Sequence, residues 1–250
     1  MSRVAIVLCF LFVVSPLFGQ HKGKSSATKP LMTQQCQLTR APELRGFALG
    51  QSIDELDKRL PGIREEFNQA KDNDDGDITR TDWTGPWTKR LKWKDVGVVY
   101  LSGYFDESSQ FIIDDFSGAP RKISFSGDTD DLHKIVFWFS EERLYGFSLY
   151  YLDYAPKTAR DFAKQLSEKL DLPPKAWKAM DKADIGSVLQ CVGFKVNVSI
   201  AYRDDSHVTV TDTNTENRIM ASEQAIKEQR RREEQERIRR ERQRINTLKP

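Results

Sequence analysis

The chain has 250 residues, of which 38% are hydrophobic, 30% charged and 10% aromatic. This length allows one sizeable domain with appendages or two small domains, and the composition is typical of a soluble globular protein with a polar appendage. The 39 basic and 37 acidic side chains leave a formal charge of +2, so net charge alone indicates no particular class of partner.

The N-terminus predicts export from the cytoplasm. Arg3 precedes the apolar run Val4–Val14, which has the length of a signal-peptide h-region rather than of a membrane span. Cleavage near Gly19 or Gln20 removes residues 1–20, and a retained anchor is the alternative. No later stretch is apolar enough to cross a membrane, so we expect a periplasmic or secreted protein.

Two cysteines remain after cleavage, Cys36 and Cys191, because Cys9 lies inside the apolar run. Oxidising compartments favour disulfides, so an exported chain predicts a Cys36–Cys191 bond. Closing so long a loop stabilises by about 4–5 kcal/mol in the chain-entropy model. Two buried free thiols are the alternative.

A short helix is predicted after Gly50. Ser52 and Glu55 have the spacing of a capping box, which satisfies backbone donors at a helix N-terminus. Apolar residues follow on one stripe at Ile53, Leu56 and Leu60. Pro61-Gly62 then ends the helix.

The acidic segment Lys71–Asp82 has part of the spacing of a calcium-binding loop. Its first position is Lys71, whose cation repels the ion, and its last is Asp82 instead of a bidentate glutamate. We therefore expect a solvated loop and no metal site, with calcium binding as the alternative. The acidic turn 126–131 is likewise expected to be a connector.

Aromatic residues supply the candidate binding positions. Trp83, Trp87 and Trp93 cluster within eleven residues, and the two interpretations are a groove for a sugar or peptide and the edge of a core. Trp138 and Tyr145, on the strands discussed next, complete the candidate set.

The strongest strand signal is a hairpin formed by Ile135–Phe139 and Leu144–Tyr151, separated by a polar break. β-Branched and aromatic runs around such a break are typical of two antiparallel strands. Side chains alternate along a strand, and both resulting faces are apolar here. The hairpin is therefore predicted to lie in the middle of a sheet, with material on both sides.

Two sets of short motifs resemble the outer-membrane-assembly lipoproteins and β-lactamase-inhibitor proteins, small exported bacterial domains. The matching residues are Leu49, Gly50, Ser52, Leu56, Leu60 and Gly62, followed by Phe139, Arg143, Leu144 and Tyr145. These motifs cover about a fifth of the chain. The resemblance implies a helical segment packed on an antiparallel sheet, and it implies a fold more than an activity.

A second helix is predicted over Thr158–Leu170, where Thr158 and Asp161 have capping spacing. Each helix precedes predicted strands, which suggests two helix-then-sheet units; two unrelated amphipathic helices are the alternative. The predicted strands besides the hairpin are 96–105, 122–125, 187–191, 195–202 and 207–211.

The C-terminal tail, 214–250, is predicted to be a long charged helix. Acid-before-base pairs at helical spacing support it, namely Glu223–Lys227, Glu228–Arg232, Glu233–Arg237 and Glu236–Arg240. Its isoleucines do not form the sustained seam of a coiled coil. We expect the tail to project from the domain without contributing to the core, and its interspersed glutamates and the export signal argue against nucleic acid.

No catalytic or cofactor motif is present. His133 lies near Asp130 and Asp131, yet the sequence has no G-x-S-x-G elbow, no H-E-x-x-H and no glycine-rich phosphate loop. We expect no catalytic residues and no cofactor.

The sequence therefore predicts an α+β domain over 36–213, preceded by a flexible leader, 21–35, and followed by the tail. An antiparallel sheet with two short packed helices forms its body. The expected function is that of an exported, non-catalytic protein that binds another macromolecule in an interaction, assembly or inhibitor-like role. The expected partner is a protein, and the chain is expected to be a monomer or weak oligomer. The alternative is a secreted or periplasmic hydrolase that uses His133 with a nearby aspartate.

Overall fold

A computed structural model describes residues 35–72, 96–106, 110–113, 121–123, 125, 131–152, 156–180, 183–200 and 206–247. Five sequence predictions lie wholly or mostly outside this range. They concern the signal peptide, nearly all of the leader, the calcium-like loop after Asp72, the group Trp83, Trp87 and Trp93, and the acidic turn 126–131 except for Asp131.

The described strands form one sheet of nine, and every neighbouring pair is antiparallel. The order across the sheet is β3-β2-β1-β4-β5-β9-β8-β7-β6. The strands are β1 (Val98–Phe105), β2 (Phe111–Ile113), β3 (Arg121–Ile123), β4 (Leu132–Ser140), β5 (Arg143–Tyr151), β6 (Trp177–Ala179), β7 (Gly186–Gln190), β8 (Phe194–Ser199) and β9 (Ser206–Asp212). The predicted α+β class with an antiparallel sheet is confirmed.

The predicted hairpin is β4–β5, and it occupies the fourth and fifth positions of the nine. Glu141 and Glu142 form its turn, with φ of 53° and 60°. A two-residue turn needs such left-handed backbone to follow the twist of the strands, although glycine or asparagine is the usual occupant. The position of β4 and β5 in the sheet confirms the prediction, made from their two apolar faces, that the hairpin lies mid-sheet.

Four α-helices are described: α1 (Ile53–Asp57), α2 (Ile63–Asp72), α3 (Ala159–Leu170) and α4 (Thr213–Thr247). The capping box of α1 is present, since the Ser52 amide donates to the Glu55 carboxylate at 2.7 Å and the Glu55 amide donates to Ser52 Oγ at 3.2 Å. The Thr158 cap of α3 is also confirmed. α1 ends earlier than expected, and α2 was not predicted.

α2 begins directly after the Pro61-Gly62 break because another side chain caps it. The Asp57 carboxylate accepts hydrogen bonds from the amides of Gly62 (2.9 Å) and Arg64 (3.1 Å). A carboxylate at this position satisfies free N–H groups and complements the helix dipole. The Pro-Gly pair thus separates two helices, where the sequence analysis placed a single helix and its end.

The core lies between α1–α3 and one face of the sheet, which we call the first face. Phe137 of β4 pairs with Phe147 of β5, which pairs with Val210 of β9, and all three are fully buried. Phe47, from the segment before α1, packs edge-on against Phe137 with ring centroids 5.2 Å apart. Burying each such ring contributes about 1.5–3 kcal/mol.

The two predicted helix-then-sheet units occupy different halves of the sheet. α2 contacts β1, whereas α3 contacts β6, β7 and β8. The two halves of the sheet join where β5, the last strand of the first unit, pairs with β9, the last strand of the second unit. A common origin of the two units stays a prediction.

Cys36 and Cys191 are disulfide-bonded, with an S–S distance of 2.02 Å. Both are buried, at 4% and 7% exposure. The bond ties the segment before α1 to the turn between β7 and β8, and therefore links the first and second units covalently.

The expectation that the tail stays out of the core is wrong for its first two turns. α4 follows β9 without a loop, and Ile219 is only 4% exposed. Glu216 also pairs with Lys195 of β8 at 2.7 Å. The buried Ile219 therefore docks the first turns of α4, whose start is already held in place by β9.

Candidate interaction surfaces

The side of the sheet opposite α1–α3, which we call the second face, carries aromatic and small polar side chains. At one end, Tyr100 of β1 lies across from Trp138 of β4, with ring centroids 6.4 Å apart. Both are half-buried. Gly146 is the residue on β5 opposite Trp138, and a Cβ there would lie 3.1 Å from Cε3 of Trp138. The absence of a side chain therefore makes room for the indole.

A second group lies at the other end of the same face. Lys134, Tyr150 and His207 are cross-strand neighbours on β4, β5 and β9. The Tyr150 and His207 rings have centroids 4.7 Å apart, and Lys134 Nζ lies 6.0 Å from the centre of the Tyr150 ring. All three are half-buried. The group combines flat aromatic surface with a cation and an imidazole.

Small side chains lie between these two groups. Val136 and Ser148 face each other and are 2% and 1% exposed. The hydroxyl groups of Ser148 and Thr209 hydrogen-bond across β5 and β9. Asn197 of β8, half-buried, continues the row beyond Thr209. The second face thus mixes aromatic and small polar side chains, with a buried middle and half-buried ends, whereas the first face is mostly apolar.

Among the described helices, only α4 reaches the second face, and it does so at one end. Glu216 pairs there with Lys195, and the Arg218 guanidinium pairs with Glu141 of the hairpin turn at 3.2 Å. Beyond this base, every residue from Lys227 to Arg244 is exposed. No described helix is both long enough and apolar enough to cross a membrane.

Ion pairs along α4 account for its helical conformation. Three of the four predicted pairs are present: Glu223–Lys227, Glu228–Arg232 and Glu236–Arg240. The predicted Glu233–Arg237 pair is wrong, because Arg237 binds Glu234 through two hydrogen bonds and also pairs with Glu241. The Glu234 carboxylate thereby raises the pKa of Arg237. Such pairs each stabilise a polar helix by about 0.2–0.5 kcal/mol.

The predicted binding residues are only partly brought together. Trp138 lies on the second face, whereas Tyr145 is half-buried at the irregularity of β5 where the register with β4 shifts between Trp138 and Phe139. The structure adds Tyr100, Tyr150 and His207, which the sequence analysis did not single out. Their alternation along β1, β5 and β9 was visible in the sequence, but their shared face depends on pairings between distant segments.

The alternative function, a hydrolase that uses His133 with a nearby aspartate, concerns the start of β4. His133 is half-buried at a second register shift of β4, and Asp131, directly before the strand, is exposed. No hydrogen bond joins the two among the described residues, and no cluster of three metal-ligating side chains occurs in that part of the chain. Asp130, the other predicted partner of His133, lies outside the described residues, so the hydrolase alternative stays a prediction.

The comparisons with known proteins give no identity. No protein-family model matches the chain, and neither a curated protein nor a solved structure matches it.

Proposed function

We propose that this chain is an exported, non-catalytic protein that binds another protein through the second face of its sheet. The observation that carries the proposal is the pair of half-buried aromatic groups on that face, Tyr100 with Trp138 and Tyr150 with His207. Tyrosine and tryptophan combine large apolar area with a polar end, and they are enriched where protein surfaces meet.

The different compositions of the two faces of the sheet support this proposal. The first face supplies the core, with its phenylalanines buried under α1–α3. The second face mixes rings with Lys134, which donates hydrogen bonds, and with Thr209 and Asn197, which can donate or accept them. A mixed aromatic and polar surface suits a partner that must be recognised in water.

The sequence supports the same proposal from two other directions. The apolar N-terminal run predicts a periplasmic or secreted location, and the Cys36–Cys191 bond fits an oxidising compartment. The short motifs resemble exported assembly and inhibitor domains, and this resemblance, which concerns the fold more than the activity, suggests a binding role. We expect the protein to act as a monomer or weak oligomer.

Affinity capture from bacterial envelope and culture fractions tests the proposal. The test protein carries Trp138→Ala, and a matched control carries Trp177→Ala. Trp177 is also half-buried, but it lies on the first-face side, where its Nε1 donates to Ser167 Oγ at 2.8 Å. Truncating a central interface tryptophan costs about 2–4 kcal/mol of binding, which corresponds to a loss of about 30-fold or more.

The expected result is one protein enriched by the unchanged chain and by the Trp177→Ala control, and lost with Trp138→Ala. Thermal unfolding of both variants shows that each is folded. The proposal is wrong if no protein is enriched at physiological salt, or if the two variants lose a partner equally.

A further inference from the structure

The exposed part of α4 has an uneven distribution of charge. Between Glu228 and Arg244 the sequence has eight arginines and five glutamates, a net charge of +3. At about 100° per residue, these side chains divide into two faces of the helix.

One face is electrically neutral, and we call it the paired face. Its charged residues are Arg230, Glu233, Glu234, Glu236, Arg237, Arg240, Glu241 and Arg244, four of each sign. Arg237 lies between Glu234 and Glu241, and Arg240 pairs with Glu236 at 3.4 Å. These guanidinium groups are occupied by the helix's own carboxylates.

The opposite face, which we call the arginine face, carries the whole excess charge. Arg231, Arg239 and Arg242 follow one another at i, i+8 and i+11, so they lie within a sector about 80° wide and span about 16 Å of axis. All three are exposed, and none has a carboxylate within ion-pairing distance in the described part of the chain. At its base, Arg232 reaches Glu228 only at 4.0 Å.

We propose that the arginine face of α4 binds the surface of an anionic phospholipid bilayer. A straight row of unpaired guanidinium groups on a polar helix matches a plane of phosphates, to which arginine donates bidentate hydrogen bonds. A helix lying flat on a bilayer presents one sector to it and leaves the other to water, and α4 has its charges divided in that way. The proposal does not depend on the protein partner proposed above.

Several properties of α4 favour a lipid surface over nucleic acid. The predicted export removes the chain from cellular DNA and RNA. The carboxylates of the paired face would repel a polyanion that wraps the helix, whereas a flat bilayer meets only one side. With Ile238 as the sole apolar residue between Glu228 and Arg244, insertion contributes little, so binding is expected to be electrostatic, reversible and sensitive to salt.

Cosedimentation with vesicles tests this inference, with the full-length chain throughout. The vesicles contain phosphatidylglycerol and phosphatidylcholine in equal amounts, and pure phosphatidylcholine vesicles measure any contribution of the apolar N-terminal run. The test variant is Arg231→Gln/Arg239→Gln/Arg242→Gln. The matched control is Arg230→Gln/Arg237→Gln/Arg240→Gln, which removes the same charge from the paired face.

Each basic residue near an anionic surface contributes about fivefold to partitioning, so the test variant is expected to bind about 100-fold more weakly. The control is expected to lose less than tenfold, and binding of the unchanged chain is expected to fall steeply between low and high salt. Both variants are expected to keep the helix in circular dichroism, because glutamine forms helices about as well as arginine. Equal losses in the two variants, absence of binding to the anionic vesicles, or tighter binding to duplex DNA at the same salt would each overturn the inference.

Discussion

Removal of the disulfide is the perturbation whose magnitude follows most directly from the structure. Cys36 and Cys191 are 155 residues apart in sequence. Cross-linking a loop of that length lowers the entropy of the unfolded chain by an amount worth about 5 kcal/mol at 25 °C. A domain is typically stable by about 5–15 kcal/mol in total, so this single bond supplies a large fraction.

Equilibrium unfolding in guanidinium chloride measures the effect. The double variant Cys36→Ala/Cys191→Ala is expected to lose about 2–5 kcal/mol, the range found when native disulfides are removed. A reducing agent should bring the unchanged protein to the same stability and leave the variant unaffected, because the variant has no bond to reduce between these positions.

The reasoning is refuted if the oxidised protein and the variant differ by less than about 1 kcal/mol. That result would mean that the two units hold together by the β5–β9 pairing alone, and that the bond constrains an already compact unfolded chain.

Three further predictions concern local features. Truncation after Lys227 is expected to leave the thermal midpoint within a few degrees. Removal of all of α4 exposes the site that Ile219 covers and is expected to lower the free energy of unfolding by about 2–4 kcal/mol. Equal thermal midpoints for the two truncated proteins would contradict the docking of the helix. The Ser52 amide donates to the Glu55 carboxylate and lowers the pKa of Glu55, so the stabilisation by this carboxylate is present above its unfolded pKa and is lost as pH falls through its folded pKa. Glu55→Gln should therefore reduce the free energy of unfolding at pH 7 and leave it unchanged at pH 2. An equal loss at both pH values would argue against the role of the carboxylate. Gly103→Ala should destabilise by about 1–3 kcal/mol in urea unfolding, because its Cβ would lie 2.5 Å from the Ile112 carbonyl oxygen; an unchanged midpoint would contradict this close approach of β1 and β2.

Local signals in the sequence were sufficient where one segment determines the outcome. The central hairpin, the capping box at Ser52 and the Thr158 cap were all predicted, because each depends on residues a few positions apart. The disulfide was predicted because an oxidising compartment favours disulfides and only two cysteines remain after the predicted cleavage.

The misses have identifiable physical causes. α2 was overlooked because Pro61-Gly62 was interpreted as a terminus, although Ile63 and Phe67 already had helical spacing. β2 and β6 have three residues each, too few for an alternating pattern to be recognised.

The candidate surface was the least predictable part. Trp138 was chosen for its residue type, but its neighbours on the second face come from strands whose pairing the sequence does not specify. Tyr150 and His207, for example, meet only because β5 pairs with β9, more than fifty residues later. Register between distant strands depends on the whole core, so a face assembled from several strands cannot be derived from local periodicity.

Site-specific photocrosslinking in intact cells tests the central claim most directly. A photoreactive phenylalanine analogue replaces Trp138 on the second face, and in a separate strain it replaces Lys164, whose side chain is 71% exposed on α3. The account predicts that the Trp138 position crosslinks to one protein and that the Lys164 position does not. Crosslinks of the same strength from both positions, or only from Lys164, would contradict a binding role for the second face.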